Sequence, residues 1–401
     1  MARVLFINAG SEGHINPTIG VVRELVSRGE EVVYFCIEEY RERMEQAGAV
    51  VRTFDGQRFI RAFVSGGRNY PLERVNGLLL TADVVIPSVL EQIKGERFDY
   101  MIHDTMFGCG SLLARMLGLP AIGSCTSFAQ DRAAFERMLE ASEAQAPADA
   151  VGAARDRYAA LKEAILGKYG VEAGAPYETF CNPAPLTLVY TTREFQPDGP
   201  AFGSGYAFVG PSIAPRAVPG DFDWAAIEGR KPIYISLGTV FNQAPDFYRL
   251  CFEAFKNAGR PVVLSAGERT RLSDLGDIPA SFIVRSYVPQ TEVLRHAGLF
   301  ITHGGMNSVH EGLYCGVPLV VVPQGADQPV IAERVSQLGA GIRLQMQGLT
   351  AEGLREAADR ALSDASYARE VERVGESFRR AGGFRQAADR IAEFKQRHSI
   401  Q

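Results

Sequence analysis

The sequence lacks a long apolar run, an excess of basic charge, a paired cysteine pattern and a glycine-rich dinucleotide fingerprint. Each absence excludes a class of protein. A membrane-spanning helix needs about 20 consecutive apolar residues, and no segment approaches that; the apolar N-terminal stretch, residues 3–8, is too short for a signal sequence. With 42 basic against 47 acidic residues the net charge is -5, which leaves no electrostatic footprint for nucleic acid. The six cysteines are scattered, and Cys36 and Cys125 lie among apolar neighbours, so a reducing, cytoplasmic setting is expected rather than a disulfide framework. In the turn after the first apolar strand the glycines are Gly10 and Gly13 only, so GxGxxG is missing even though Glu38 follows the second strand at a suitable distance. A nicotinamide or flavin cofactor is therefore not expected.

What is present is an α/β pattern. The composition, 46% hydrophobic and 22% charged over 401 residues, is that of a globular protein with room for two or three cores. A strand, turn and helix begin at residue 3, and again at residue 232 beyond a stretch broken by Pro215, Pro219, Gly220 and Gly229. Two α/β domains are expected, over residues 1–215 and 216–383. Phe384, Ala387, Ala388, Ile391 and Phe394 then recur at helical spacing within a final segment, 384–401.

The richest stretch lies in the second half: His303, Gly304, Gly305, Met306, Asn307, Ser308, Glu311, and then Asp327 and Gln328. Residues 299–302 read as a buried strand and 305–314 as a helix, so the histidine and glycines fall at the turn between them. Backbone amides at a helix N-terminus favour an anion, and a diphosphate is the natural guest. Asn307 and Glu311, four residues apart, share one helix face and are separated by roughly 6 Å, about the step from a phosphate to a ribose. The next apolar run, 317–322, ends at Pro323, and Gly325 allows the turn after which Asp327 and Gln328 open another helix, with side chains suited to hexose hydroxyls. This is an inventory for holding a nucleotide sugar, and a sugar transferase is the first hypothesis. The plainer reading is an ordinary doubly wound unit whose Asn and Ser cap a helix.

The segment 287–328 resembles the donor-binding signature of family 1 glycosyltransferases, the UDP-glycosyltransferases. The matching residues are Pro289, Gln290, His303, Gly305, Asn307, Ser308, Glu311, Pro323, Asp327 and Gln328. Tyr287 stands where the plant enzymes carry a tryptophan, Gly304 and Met306 replace their cysteine and second tryptophan, and the interval from Gln290 to His303 is shorter. These departures resemble the bacterial macrolide and flavonoid glucosyltransferases, with Tyr287 placed to stack on the base. The resemblance implies a GT-B fold, two Rossmann-like domains facing a cleft, with the C-terminal helix crossing back to the first domain. It also implies a UDP-sugar co-substrate, no further cofactor, and inversion at the anomeric carbon without a metal. His14 matches the catalytic histidine and Asp104 the carboxylate that pairs with it. An imidazole titrating near neutrality suits removal of an acceptor proton, and an aspartate fixes its tautomer. The first helix is expected to start at Pro17 and close at Gly29, leaving His14 in the turn before it, at the carboxyl end of the first strand. Thr239, from the turn 236–239 with Gly238, joins His303 and Ser308 around the departing diphosphate, and Gly13 and Val288 complete the donor set. His103, beside Asp104, reads as structural. Asp221, Phe222 and Asp223 spell an acidic motif of metal-dependent transferases, but in a proline-rich linker they read as solvated or helix-capping residues.

The acceptor is less legible. Segments 54–95 and 127–180 are helical in tendency and carry Phe59, Phe63, Phe128, Phe135 and Met138, with Met106 and Phe107 beside Asp104. Such a set would line a pocket for flat or greasy aglycones such as flavonoids, macrolides or terpenoids, and the same residues equally build a plain core. A monomer or weak homodimer is expected. An epimerase or hydrolase acting on the nucleotide sugar, a non-catalytic sugar-nucleotide sensor, and a transferase using another nucleoside diphosphate sugar stay as alternatives.

Overall fold

The computed structural model describes residues 1–8, 11–67, 70–197, 199–215, 222–239 and 242–401. The chain divides into two compact units, Met1–Ala214 with Gly382–Gln401, and Pro215–Ala381.

The first unit runs β1 (Arg3–Ile7), α1 (Glu12–Ser27), β2 (Glu31–Cys36), α2 (Arg41–Glu45), β3 (Val50–Thr53), α3 (Gly56–Ser65), α4 (Pro71–Leu80), α5 (Ala82–Gln92), β4 (Tyr100–Asp104), α6 (Gly110–Leu117), β5 (Ala121–Cys125), α7 (Arg132–Glu143), α8 (Ala148–Tyr169), α9 (Pro176–Phe180), β6 (Leu186–Val189) and β7 (Tyr206–Phe208). Its strands pair in parallel in the order β3-β2-β1-β4-β5-β6-β7. Alternate side chains of β1 serve opposite faces. Val4 and Phe6 join Ile19, Val22 and Leu25 of α1 in one core, while Leu5 and Ile7 join Val85, Ile86 and Val89 of α5 and Leu113 of α6 in another. That is why the strand is apolar from Val4 to Ile7 rather than alternating.

The second unit runs β8 (Ile233–Ser236), α10 (Pro245–Phe255), β9 (Val262–Ser265), β10 (Phe282–Arg285), α11 (Gln290–His296), β11 (Leu299–Thr302), α12 (Met306–Tyr314), β12 (Leu319–Val321), α13 (Gln328–Gln337), β13 (Gly341–Arg343), α14 (Ala351–Ser363) and α15 (Ala365–Arg380). Its sheet is also parallel, in the order β10-β9-β8-β11-β12-β13. Ile233, Ile235, Leu299 and Ile301 face the core built with α10 and α14. Tyr234 and Phe300 stack at 4.9 Å on the other face.

The chain then returns to the first unit as α16 (Gly383–Arg397). Ala387, Ala388, Ile391 and Phe394 enter the α1 core. Gly20 of α1 leaves room for the Phe384 ring, whose atoms lie 2.7 Å from where a Cβ would sit. Lys395 pairs with Glu30 at 3.0 Å, and Tyr100 donates to the same carboxylate at 2.5 Å.

Two expectations are corrected. Helix α1 starts at Glu12, five residues before Pro17, so Pro17 lies inside it and His14 sits in its first turn rather than in a preceding loop. The buried Asn8 side chain donates to the His14 carbonyl at 3.1 Å and ties that turn to the end of β1. In the linker, Asp223 does cap a short helical turn, accepting from the Ala226 amide at 3.3 Å. Phe222, however, is buried against Trp224, ring centroids 4.6 Å apart, because its apolar ring gains more from burial than from solvent. Asp221 lies outside the described residues. Among the described residues no helix is long and apolar enough to cross a membrane.

Candidate functional site

Open parallel sheets bind ligands beyond the carboxyl ends of their strands, at the point where strand order reverses. In the first unit that point lies between β1 and β4, in the second between β8 and β11. Both candidate sets fall there.

In the first unit β1 leads to His14 and β4 ends on Asp104. The strands pair Ile7 with His103, and this register brings residues 90 positions apart into contact: His14 Nδ1 lies 2.5 Å from Asp104 Oδ2. Asp104 is fully buried, and the Met106 amide donates to its other oxygen at 2.7 Å. A carboxylate can only accept, so the Nδ1 proton points at Asp104 and the lone pair is placed on Nε2. The His14 side chain keeps 21% of its surface. Thr126, just after β5, puts its hydroxyl 3.1 Å from the same Nδ1. His103 points elsewhere: it is fully buried, its Nδ1 lies 3.2 Å from the Asp104 carbonyl, burial lowers its pKa, and its ring fits only because Gly110 has no Cβ to strike it. Gly13 is exposed, and a Cβ there would meet nothing within 4 Å.

In the second unit the buried His303 ring is held between two glycines. A Cβ at Gly238 would lie 2.6 Å from His303 Cε1, and one at Gly305 would lie 2.5 Å from Nε2. Gly238 also has φ of +73° and Gly304 of +86°, conformations that glycine adopts without strain. Burial pushes the imidazole of His303 down to about 4, against the opposing pull of Asp327. It is therefore neutral at pH 7 and can offer a hydrogen bond but no charge, less than a cationic partner for a diphosphate would give. Thr239 is exposed beside it.

On α12, Ser308 and Glu311 face Gln290, which opens α11. The Gln290 amide donates to Glu311 Oε2 at 2.7 Å and Ser308 Oγ at 3.3 Å, and its oxygen accepts from Tyr234 at 3.2 Å. Glu311 is only 2% exposed, a position a carboxylate tolerates when hydrogen-bonded. Asn307 is half-buried one residue before Ser308, and Tyr287 follows β10 with 54% of its surface exposed. The Val288 side chain is buried, so the donor set is corrected there: only its backbone can meet a ligand. Gln328 is buried, and its carboxamide oxygen accepts from the Gln324 and Gly325 amides at 2.8 and 3.1 Å, which fixes the loop that leads into α13. Asp327, half-buried at the N-cap of α13, makes no side-chain cap bond.

The acceptor set splits. Phe107 and Phe135 are essentially inaccessible and Phe59 nearly so. Phe107 stacks on Phe59 and on Phe54, which meet each other at a tilt, while Phe135 packs on Tyr177 and Phe180. These three are core, because large apolar rings gain most by burial. Met106 and Met138 are exposed, and Phe63 and Phe128 half-buried, so these four retain surface for a ligand. Sequence reasoning missed Thr126 and the buried Asn242, which binds the turn at Gly238. Thr126 carried a usable signal, a hydroxyl at the carboxyl end of a central strand. Asn242 carried none.

Residues 226–378 match the family described as UDP-glucoronosyl and UDP-glucosyl transferase. Over its whole length the chain is similar to "Uncharacterized UDP-glucosyltransferase YojK" of Bacillus subtilis (strain 168), 38% identical over 98% of this chain and 97% of that one. It is 30% identical to the oleandomycin glycosyltransferase of Streptomyces antibioticus, over 100% of this chain and 93% of that protein. Among solved structures it superposes on the glycotransferase of kitacinnamycin with a TM-score of 0.85 and 28% identity, covering 98% of each chain. With its two parallel-sheet, Rossmann-like units of the GT-B fold, the chain belongs to the family 1 glycosyltransferases of bacterial type.

Proposed function

We propose that this glycosyltransferase moves a hexose, glucose from UDP-glucose, to a hydroxyl of a small hydrophobic acceptor such as a flavonoid, macrolide or terpenoid. Transfer inverts the anomeric carbon and calls for no metal and no cofactor beyond the co-substrate. The observation that carries the reading is the 2.5 Å contact between His14 and the buried Asp104. Nε2 of His14 takes the acceptor proton as the acceptor oxygen bonds to the anomeric carbon. The bond from that carbon to the β-phosphate oxygen breaks, and UDP leaves with the electron pair. Asp104 stabilises the imidazolium so formed. In the second unit the amides at the start of α12, Thr239, His303 and Ser308 receive the diphosphate, Glu311 the ribose and Asp327 the hexose, with Tyr287 on the base. The relatives named for oleandomycin and kitacinnamycin support a natural-product acceptor. A different nucleoside diphosphate sugar is the alternative, and Glu311 favours a ribose bearing both hydroxyls.

The test is mass spectrometry of products after incubation, without added metal, with UDP-glucose and a panel of flavonoid, macrolide and steroidal alcohols. One hexose gained on an acceptor, and reduced about 10²- to 10⁴-fold in His14→Ala, is the expected result. Free glucose or an altered nucleotide sugar with no acceptor product would overturn it.

A further inference from the structure

The chain of contacts around Asn242 joins two loops at the carboxyl edge of the second sheet. Its side-chain amide donates to the Gly238 carbonyl at 2.9 Å and to the Thr239 carbonyl at 3.3 Å. Its own carbonyl accepts from the Thr270 hydroxyl at 2.8 Å and the Tyr248 hydroxyl at 2.9 Å. The residue is 3% exposed. Gly267, which follows β9 with φ of +81°, makes space for it: a Cβ there would lie 2.0 Å from the Asn242 amide nitrogen. The turn after β8 is thus fastened through one residue, its side chain on the turn and its carbonyl on the loop after β9 and on α10.

In a trans peptide the carbonyl and the following N–H point in opposite directions. When Asn242 draws the Gly238 carbonyl inward, the Thr239 N–H is turned outward, away from Asn242. The Gly238 N–H is held by Ser236 Oγ at 3.3 Å, so the Thr239 N–H is the outward donor that this turn offers a phosphate oxygen. The same fastening sets where Gly238 lies, and Gly238 is one of the two glycines between which the His303 ring is held. An alanine at 242 would lose the inward pull.

We propose that Asn242 is a positioning residue for the nucleotide diphosphate: it never touches substrate, but it sets the peptide orientation of the Gly238–Thr239 turn and so the donor affinity. This rests on the donor reading above. A merely structural role would lower stability or active fraction and leave both Michaelis constants alone. A positioning role raises the constant for the donor and not for the acceptor.

Calorimetric titration of the wild-type protein with UDP and with TDP comes first. If neither binds, the donor reading itself fails and Asn242 is not at issue. With the nucleotide that binds, Asn242→Ala is expected to weaken affinity about tenfold or more and to raise the donor KM in parallel. The acceptor KM should stay within twofold. Asn242→Asp, which presents an acceptor to two carbonyls, should be worse. Thr270→Val and Tyr248→Phe keep the asparagine but loosen its backbone, and are expected to raise the donor KM about two- to fivefold; they decide the matter if the 242 variants do not fold. Unchanged nucleotide affinity in the folded variants, or equal rises in donor and acceptor KM, would overturn the proposal.

Discussion

Replacing Asp104 by asparagine changes one atom and should disable the base more specifically than removing the residue. The Met106 amide donates to Asp104 Oδ1 at 2.7 Å, and that donor keeps the oxygen of an asparagine carboxamide in the same place. The amide nitrogen then occupies the position of Oδ2, 2.5 Å from His14 Nδ1. It can only donate, so Nδ1 must accept and the imidazole proton moves to Nε2, the atom meant to receive the acceptor proton. A forced wrong tautomer of this kind costs about 10⁴ in kcat in a serine protease, and a general base is worth about 10² to 10⁴. A fall of about 10³ to 10⁴, or roughly 4 to 5.5 kcal/mol of barrier, is expected for aliphatic alcohol acceptors. An acidic phenol that reaches the protein already ionised needs no base, so its loss should be smaller by an order of magnitude or more. The assay is steady-state transfer to a matched alcohol and phenol over a pH series, with UDP affinity measured alongside. Equal losses on both acceptors, or a loss of UDP affinity matching the loss of rate, would refute the tautomer argument.

The second unit should be sensitive to acid. Burial lowers His303 to about 4 and His310 to about 3, against 6.5 for an unperturbed histidine, so both fold neutral. The unfolded chain takes up these protons first, and the stability they contribute is present above pH 6.5 and lost as pH falls toward 4 and 3; at 1.36 kcal/mol per unit this is on the order of 3 to 5 kcal/mol each. Thermal melts at pH 7.5 and 5 should show a smaller difference for His310→Leu than for the parent, and an identical pH dependence would exclude His310 as a source. Gly238→Ala, whose methyl would sit 2.6 Å from the His303 ring at a φ of +73°, should abolish or strongly weaken UDP binding while the first unit stays folded. Retained nucleotide affinity in that variant would remove the turn from the donor site.

Local chemistry was readable from the chain alone. The strand over 299–302 and the helix after it follow from a short apolar run, a glycine turn and a helical period, all set within about fifteen residues. Ala387, Ile391 and Phe394 likewise declare one face of a helix before anything is known of what it packs on, which proves to be α1. The start of α1 was misplaced because Pro17 is a strong local signal for a first turn, and tertiary anchoring by Asn8 and a further turn of helix outweighed it. His14 and Asp104 could each be named, but only the β1-β4 pairing makes them a contact, since parallel neighbours are joined by long crossovers and no local rule sets which strands meet. Aromatic residues were the least legible. Phe107 and Met106 are adjacent in sequence, yet one is inaccessible in the core and the other exposed, because direction from the backbone decides what a side chain faces. Asn242 makes the same point for polar groups: a carboxamide can serve a ligand or the backbone, and only the folded chain shows that this one donates to the Gly238 and Thr239 carbonyls. The sequence by itself therefore determined the α/β class, the strand and helix around the donor motif and the chemical inventory, which depend on short-range pattern. Tertiary structure alone decided which of those groups meet, which are spent on holding the fold, and which are left facing outward, because these depend on contacts between residues far apart in the chain.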